Sequence, residues 1–300
     1  MIFINTYNAA PDFRLQEAAA DNLCSKFNFL RKSVIGKSLC GRPITALTVG
    51  NRSNIALYAA AFHGSEWLNT LFMLRFLEEL CVMYSEKSRF DGTNVFTALQ
   101  KRGLMVIPCV NPDGVEIALN GSESCQKFKS LIDGITSNTE TWQANARGVD
   151  LNHNFNAGWK ALRELEKRSG INSPSSTRYG GRSPFSEPET IALRNLCLRA
   201  KFRFAAAFHS QGREVYCTYQ NTPESSFRLA QMFATLSGYA VSLPEGLAVG
   251  GGFKDWVIGY LKTPAITVET GLGKNPLPLS EFEGEYKRIR KALFSCALSF

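Results

Sequence analysis

The chain has 300 residues, is 44% hydrophobic and carries a formal net charge of +8. That length and apolar content suffice for one large core, so residues 1–300 are expected to form a single domain. No run of about 18 apolar residues occurs, and Met1–Thr6 does not open a basic segment followed by an apolar stretch. Neither a membrane span nor an ordinary secretion signal is therefore expected.

In chain order, a helix is predicted over 13–30, then short apolar strands over 44–49 and 55–62. A helix over 67–84 and a strand over 104–109 follow. Further on come a helix over 188–200, a strand over 202–208, a strand over 215–219 and a helix over 225–236. A strand over 265–268 and a helix over 280–297 close the series. Ser186 with Glu189, and Ser280 with Glu283, read as capping boxes. Strands alternating with helices predict an α/β fold, a mixed and mostly parallel twisted sheet with helices on both faces.

Eight cysteines are scattered without a C-x-x-C pair and mostly inside apolar runs. That pattern suits reduced thiols in a cytoplasmic protein better than a disulfide framework. The basic balance allows an anionic small substrate, but no nucleic-acid motif is present and no nucleic-acid partner is expected. The densest basic run, Lys287 to Lys291, alternates with Phe282, Tyr286, Ile289, Leu293 and Cys296 at helical spacing. It reads as the solvated face of a helix.

The chain has three histidines, and two of them end nearly identical runs, Ala60-Ala61-Phe62-His63 and Ala206-Ala207-Phe208-His209. Each run reads as a buried strand delivering a histidine at its carboxyl end, the edge where α/β sheets bind ligands. Glu66 follows His63 by three residues. A His-x-x-Glu pair with one distant histidine is the ligand set of a catalytic zinc site, and one Zn2+ per chain is the predicted cofactor. Glu269, after the apolar run Ala265 to Val268, is placed to emerge at the same edge.

The order of motifs sharpens this. Asn111-Pro112-Asp113-Gly114 follows a strand, Gly148-Val149-Asp150-Leu151-Asn152-His153-Asn154-Phe155 follows a loop bearing Trp142, and Glu269-Thr270 ends the last strand. From about Ile44 to Thr270 the chain resembles the zinc carboxypeptidase family. Three stretches, Tyr179 to Thr190, Phe208 to Tyr216 and Gly251 to Trp256, resemble the bacterial γ-D-glutamyl-diamino acid peptidases within it. The resemblance implies a carboxypeptidase-like fold, His63, Glu66 and His209 as zinc ligands, and Glu269 as general base. It implies hydrolysis of a γ-D-glutamyl to diamino acid bond in a peptide or muropeptide by zinc-activated water.

Two positions depart from the family pattern. Where the family follows the Asn of this segment with an arginine that grips the substrate carboxylate, Asn152 is followed by His153. Imidazole lacks the guanidinium fork, so carboxypeptidase action on protein C-termini is in doubt. His153 reads as a hydrogen-bonded pocket residue rather than a fourth ligand. The arginine that assists the oxyanion falls on Gln143, with Arg147 nearest, and that role stays open between the two.

Arg178, Arg182 and Arg213 lie in segments that the resemblance brings near the cleft, where each could bind a substrate carboxylate. Gly250-Gly251-Gly252 reads equally as a movable loop or as a plain turn into a helix over 254–260. Two other functions are compatible with the same ligand set: a deacylase-type amidohydrolase of small N-acyl amino acids, and a non-catalytic module that binds cell-wall fragments.

Overall fold

A computed structural model describes residues 7–300. Its strands are β1 (Arg31–Lys37), β2 (Pro43–Gly50), β3 (Ile55–Ala60), β4 (Arg89–Phe90), β5 (Thr93–Asn94), β6 (Gly103–Ile107), β7 (Phe202–His209), β8 (Glu214–Tyr216), β9 (Ala240–Ser242) and β10 (Ala265–Glu269). The α-helices are α1 (Phe13–Lys26), α2 (Leu68–Ser85), α3 (Val95–Lys101), α4 (Pro112–Asn120), α5 (Lys129–Ile135), α6 (Trp159–Arg168), α7 (Pro188–Arg199), α8 (Glu224–Ser237), α9 (Phe253–Gly259) and α10 (Phe282–Ser299). Among the described residues no helix is long and apolar enough to cross a membrane.

Apart from the β4–β5 ribbon, the strands form one mixed sheet in the order β1-β2-β6-β3-β7-β10-β8-β9. Its centre, β6, β3, β7 and β10, is parallel; antiparallel strands β2 and β8 flank it. Those central strands are apolar throughout because both faces are covered. Along β3 the pleat sends Ala56, Tyr58 and Ala60 into a core with α1, α2, α8 and α10. Ile55, Leu57 and Ala59 join a second core with α7 and α9. The predicted mixed, mostly parallel sheet with helices on both faces is thus the observed one.

The differences are local. β1 is an edge strand reading RKSVIGK and largely exposed, so it lacks the apolar signal of its neighbours. Helices α3 to α6 lie beyond the sequence expectation, although α4 starts on a strong signal: the Asn111 side chain accepts from Gly114 N–H at 2.9 Å and Pro112 takes the first turn. Neither capping box forms. α7 starts at Pro188, and Ser186 Oγ instead donates to Glu187 Oε1 at 2.7 Å and accepts from Asn154 Nδ2 at 3.0 Å. α10 starts at Phe282, behind a 3-10 turn, with no side-chain cap.

The apolar positions of α10 are buried, but its basic face is only partly solvated. Arg290 folds onto Glu79 through Nε at 2.9 Å and Nη2 at 2.6 Å, and Tyr286 donates its hydroxyl to the same carboxylate at 2.7 Å. The guanidinium also covers the rings of Phe90 and Phe294. Lys287 on the same helix is exposed. Arg290→Ala is expected to lower the unfolding free energy by about 2 kcal/mol in chemical denaturation, since it leaves Glu79 short of a cation. Lys287→Ala should stay within about 0.5 kcal/mol of the parent.

Candidate metal centre

The parallel strands deliver their polar residues to one edge of the sheet. His209 ends β7, and Glu269, ending β10, is its register partner, so the two are neighbours by sheet geometry alone. On the other side Ala60 of β3 pairs with Phe208, which sets Phe62 and His63 beside the same strand end. The Phe62 ring stacks on His209 with centroids 5.1 Å apart.

Between β3 and His63 the backbone must bend sharply. Ala61 takes a left-handed φ of 51°, which costs an L-residue about 1 kcal/mol. Two bonds from the chain after β6 hold it: Val110 N–H to Ala60 O at 2.9 Å and Asn111 N–H to Ala61 O at 3.0 Å. The next turn, Gly64–Glu66, runs against the start of α4 and the Trp142 loop. A Cβ on Gly64 would sit 2.1 Å from the Gly114 carbonyl oxygen and 2.7 Å from that of Trp142, so only glycine fits. Ser65 N–H to Trp142 O at 2.7 Å and Gly64 N–H to Gln143 O at 3.1 Å pin the turn.

This scaffold makes three donors converge. His63 Nδ1 lies 2.8 Å from Glu66 Oε1; His209 Nδ1 lies 3.0 Å from Glu66 Oε2 and 3.4 Å from His63 Nδ1. One ligand atom from each of the three residues falls within 4.8 Å of the others. Two imidazole nitrogens and one carboxylate oxygen are the donor set that zinc takes in open, catalytic sites, so these residues fit the ion. His63 Nε2 faces Asp150 Oδ1 at 3.0 Å. Asp150 in turn accepts the backbone N–H groups of Asn152 at 3.0 Å and Arg178 at 2.9 Å. A fixed carboxylate thus orients the ring, as in metal sites generally.

The charges agree with that geometry. Burial disfavours ionisation of Glu66 and Asp150, yet the two histidines beside Glu66, and His63 beside Asp150, hold both carboxyls below their usual range. Burial likewise opposes charge on His63, but Glu66 and Asp150 outweigh it and raise its pKa well above the ordinary value. The corner therefore favours a positive charge, whether proton or metal ion. Glu269 behaves in the opposite way: burial, then the Glu66 charge, pushes its carboxyl well above the usual range.

The pocket over the trio is lined by Glu269, Asn152, His153, Tyr216, Lys254 and Asp255, with Leu247 and Ala248 across from them. Asn152 Oδ1 accepts Phe253 N–H at 3.0 Å. His153 is no part of the trio: its Nδ1 bonds Glu166 Oε1 at 2.8 Å, and burial, aided by His63 and Arg178, lowers its pKa despite Asp150. Gly250, Gly251 and Gly252 form a pinned turn into α9. Gly250 N–H donates to Asp255 Oδ2 at 2.9 Å, Gly251 N–H to Ala157 O at 2.6 Å, and Gly251 O accepts from Phe155 N–H at 2.9 Å.

The expected arginines are not brought to this pocket. Arg147 Nε pairs with Glu187 Oε2 at 3.2 Å; Arg213 Nε and Nη2 reach Glu285 Oε2 of α10 at 3.1 and 2.8 Å; Arg182 is exposed outside the lining. Glu187 and Glu285 are buried carboxylates that require a cation, and each claims the arginine within reach. Gln143 also lies outside the lining, beside the metal-binding turn, where its Oε1 accepts from Thr177 Oγ1. Arg178 is the cation whose field reaches His153.

Sequence reasoning assigned no role to Asp150 or Lys254. Asp150 lay inside a recognised motif, two residues before Asn152. Nothing in the sequence signalled that the Lys254 ammonium turns inward, where it donates to Thr218 O at 2.8 Å and pairs with Asp255.

The family model described as zinc carboxypeptidase matches residues 17–291. A γ-D-glutamyl-L-diamino acid endopeptidase 1 from Lysinibacillus sphaericus is 33% identical over 281 residues, 92% of this chain and 69% of that protein. The solved structure of bovine thrombin-activatable fibrinolysis inhibitor, in complex with tick carboxypeptidase inhibitor, has the same fold with a TM-score of 0.76 at 20% identity, covering 97% of each chain. A murein-tripeptide amidase from Escherichia coli O157 has a TM-score of 0.51 at 24% identity and covers 89% of each chain. With a matching family model over nearly its whole length and a His-Glu-His trio at the ends of its central strands, this chain belongs to the zinc carboxypeptidase family of peptidases.

Proposed function

We propose that the protein hydrolyses the γ-D-glutamyl to diamino acid amide bond of peptidoglycan-derived peptides, with residues 1–300 as one catalytic domain. The observation that carries this reading is the meeting of His63, Glu66 and His209 with Glu269 at one sheet edge, in a chain 33% identical to a γ-D-glutamyl-L-diamino acid endopeptidase. Bound by the trio, zinc supplies Lewis-acid activation of a water molecule and of the scissile carbonyl.

Glu269 is the general base in this scheme. Its carboxylate, at the strand end and open to the pocket, takes the water's proton and returns it to the leaving amine. Asp150 accepts the Nε2 proton of His63, which fixes the tautomer that leaves Nδ1 free as a ligand. Of the two residues expected to assist the oxyanion, Gln143 stands beside the pocket rather than in its lining, and Thr177 holds its carbonyl oxygen, which leaves the amide NH2 as the donor. Arg147 is committed to Glu187.

Substrate carboxylates meet Asn152 and the neutral His153 on one wall, the Lys254 ammonium on another, and Arg178 beyond His153. Lysine acts there as a point charge in place of a bidentate fork. A γ-glutamyl peptide, with carboxylates spaced along its length, suits separated charges better than one terminal clamp. Eight free thiols suit a reducing compartment, so the substrates are recycled or precursor wall peptides in the cytoplasm.

Glu269→Gln is expected to reduce kcat by about 1,000-fold while one zinc per chain is retained in elemental analysis. Loss of zinc along with activity would reassign Glu269 to the metal. Asp150→Ala should weaken zinc binding about 10–100-fold in chelator competition. Incubation with L-Ala-γ-D-Glu-diaminopimelate and its L-Lys counterpart should release the free diamino acid by mass spectrometry, and Lys254→Met should raise KM about tenfold. Hydrolysis of N-acyl amino acids with neither tripeptide cut would sink the substrate assignment.

A further inference from the structure

Outside the metal centre, the densest group of reactive side chains lies behind it, where the turn joining β1 to β2 meets α4 and the 3-10 segment Ser122–Phe128. Cys40 of the turn and Cys125 of that segment face each other across Asp113. Their sulfurs and the Asp113 carboxylate lie within 4.8 Å of one another. Cys125 is only 1% exposed, whereas Cys40 is partly open to solvent.

Two chemistries fit such a group, a soft metal site or a dithiol, and Arg42 decides between them. Its Nη1 lies 2.6 Å from Asp113 Oδ1 and 3.4 Å from Cys125 Sγ, and its Nη2 donates to Ser124 O at 2.7 Å. Asp113 also accepts Ser38 Oγ and Cys40 N–H, each at 2.8 Å. The guanidinium already occupies the place of a cation, and the carboxylate already accepts three hydrogen bonds, so a metal ion would meet repulsion there. The same guanidinium stabilises a thiolate on Cys125, the condition for thiol exchange.

We propose that Cys40 and Cys125 form a redox-active dithiol that closes to a disulfide by exchange with a small-molecule disulfide such as oxidised glutathione. Cys40 is the entry point. As it attacks one sulfur of the small disulfide, its proton passes to the neighbouring Cys125 thiolate, a new S–S bond forms and one thiolate leaves. Cys125, returned to its thiolate beside Arg42, then attacks the Cys40 sulfur and displaces the second thiolate. The protein gives up two electrons and the one thiol proton of Cys40, which Cys125 hands on to the first departing thiolate; the small disulfide takes up both electrons and leaves as one thiol and one thiolate, and solvent protonates the latter.

The bridge lies behind the pocket. It ties the β1–β2 turn to the layer under α4, and Gly114 of α4 is the surface on which Gly64 of the metal-binding turn rests. Closure therefore clamps the support of His63 and Glu66 without entering the site. It fits a reducing compartment, where protein disulfides are transient and redox-sensing.

The test uses the zinc-loaded full chain in glutathione buffers of graded oxidised fraction, followed by acid quench, thiol counting and non-reducing peptide mapping. Oxidation should remove two of the eight thiols and yield one Cys40–Cys125 linked peptide lighter by two hydrogens. The thermal midpoint should rise by about 5 °C and revert with dithiothreitol. Cys125→Ser should stop at a glutathionyl adduct on Cys40, and Cys40→Ser should leave Cys125 unmodified. Absence of the linked peptide at every ratio, or thiol loss falling instead on the partly open Cys24, would overturn the proposal. So would protection of both thiols by a second, chelator-removable metal ion. None of these readouts depends on the substrate cut.

Discussion

Three carboxylates and two imidazoles share one enclosed corner of this protein, and that concentration of charge is the constraint around which the rest is arranged. An anion in such a place is tolerable only with a cation or several donors against it. Glu66 has both histidines, and Asp150 has His63 and two backbone N–H groups. Glu269 also feels His63, but burial and the charge on Glu66 outweigh it. The carboxyls are therefore driven apart, two held ionised and one inclined to keep a proton. Such a split is the pattern in which two carboxylates hold cations and a third can move a proton, the division of labour proposed above.

The sheet accomplishes this through backbone, not side-chain reach. Parallel pairing of β3, β7 and β10 fixes where their last residues lie, and a one-residue slip would turn each of them to the other face. The left-handed backbone at Ala61 carries a cost, where the chain leaves the sheet to aim His63 back toward β7. That cost is offset by ladder-like bonds from the residues after β6. The Asn111-Pro112-Asp113-Gly114 motif thus serves the site without entering it: Asn111 caps α4 and holds the Phe62 carbonyl, and Gly114 leaves room for the Asn111 amide while its own carbonyl lies against Gly64.

What was legible in the sequence follows the same division. His63 and Glu66 are separated by one turn, and His209 and Glu269 each end an apolar run; local pattern and strand order suffice to bring them together. The arginines behave differently. A long flexible side chain takes its partner from whichever buried carboxylate the tertiary fold sets within reach, so Arg147 goes to Glu187 and Arg213 to Glu285. Lys254 shows the converse, an ordinary lysine in sequence that the turn after Gly252 directs into the pocket. The capping boxes fail for a related reason: Ser186 finds a partner in Asn154, far along the chain, and Ser280 is taken into the 3-10 turn ahead of α10.

His153 is where sequence and structure together say most about selectivity. Its imidazole is neutral by burial and tied to Glu166, and Arg163 stands behind it, bonded to Glu166 and lying over the Tyr179 ring at 4.6 Å. A guanidinium is thus present on this wall but set back from the pocket and neutralised by its own carboxylate. The wall offers a substrate hydrogen bonds without net charge. The Lys254 ammonium lines the pocket with its own carboxylate, Asp255, beside it, and the field of Arg178 comes from beyond His153. With an imidazole where the related peptidases carry an arginine, this wall lacks the fork that would grip a lone terminal carboxylate.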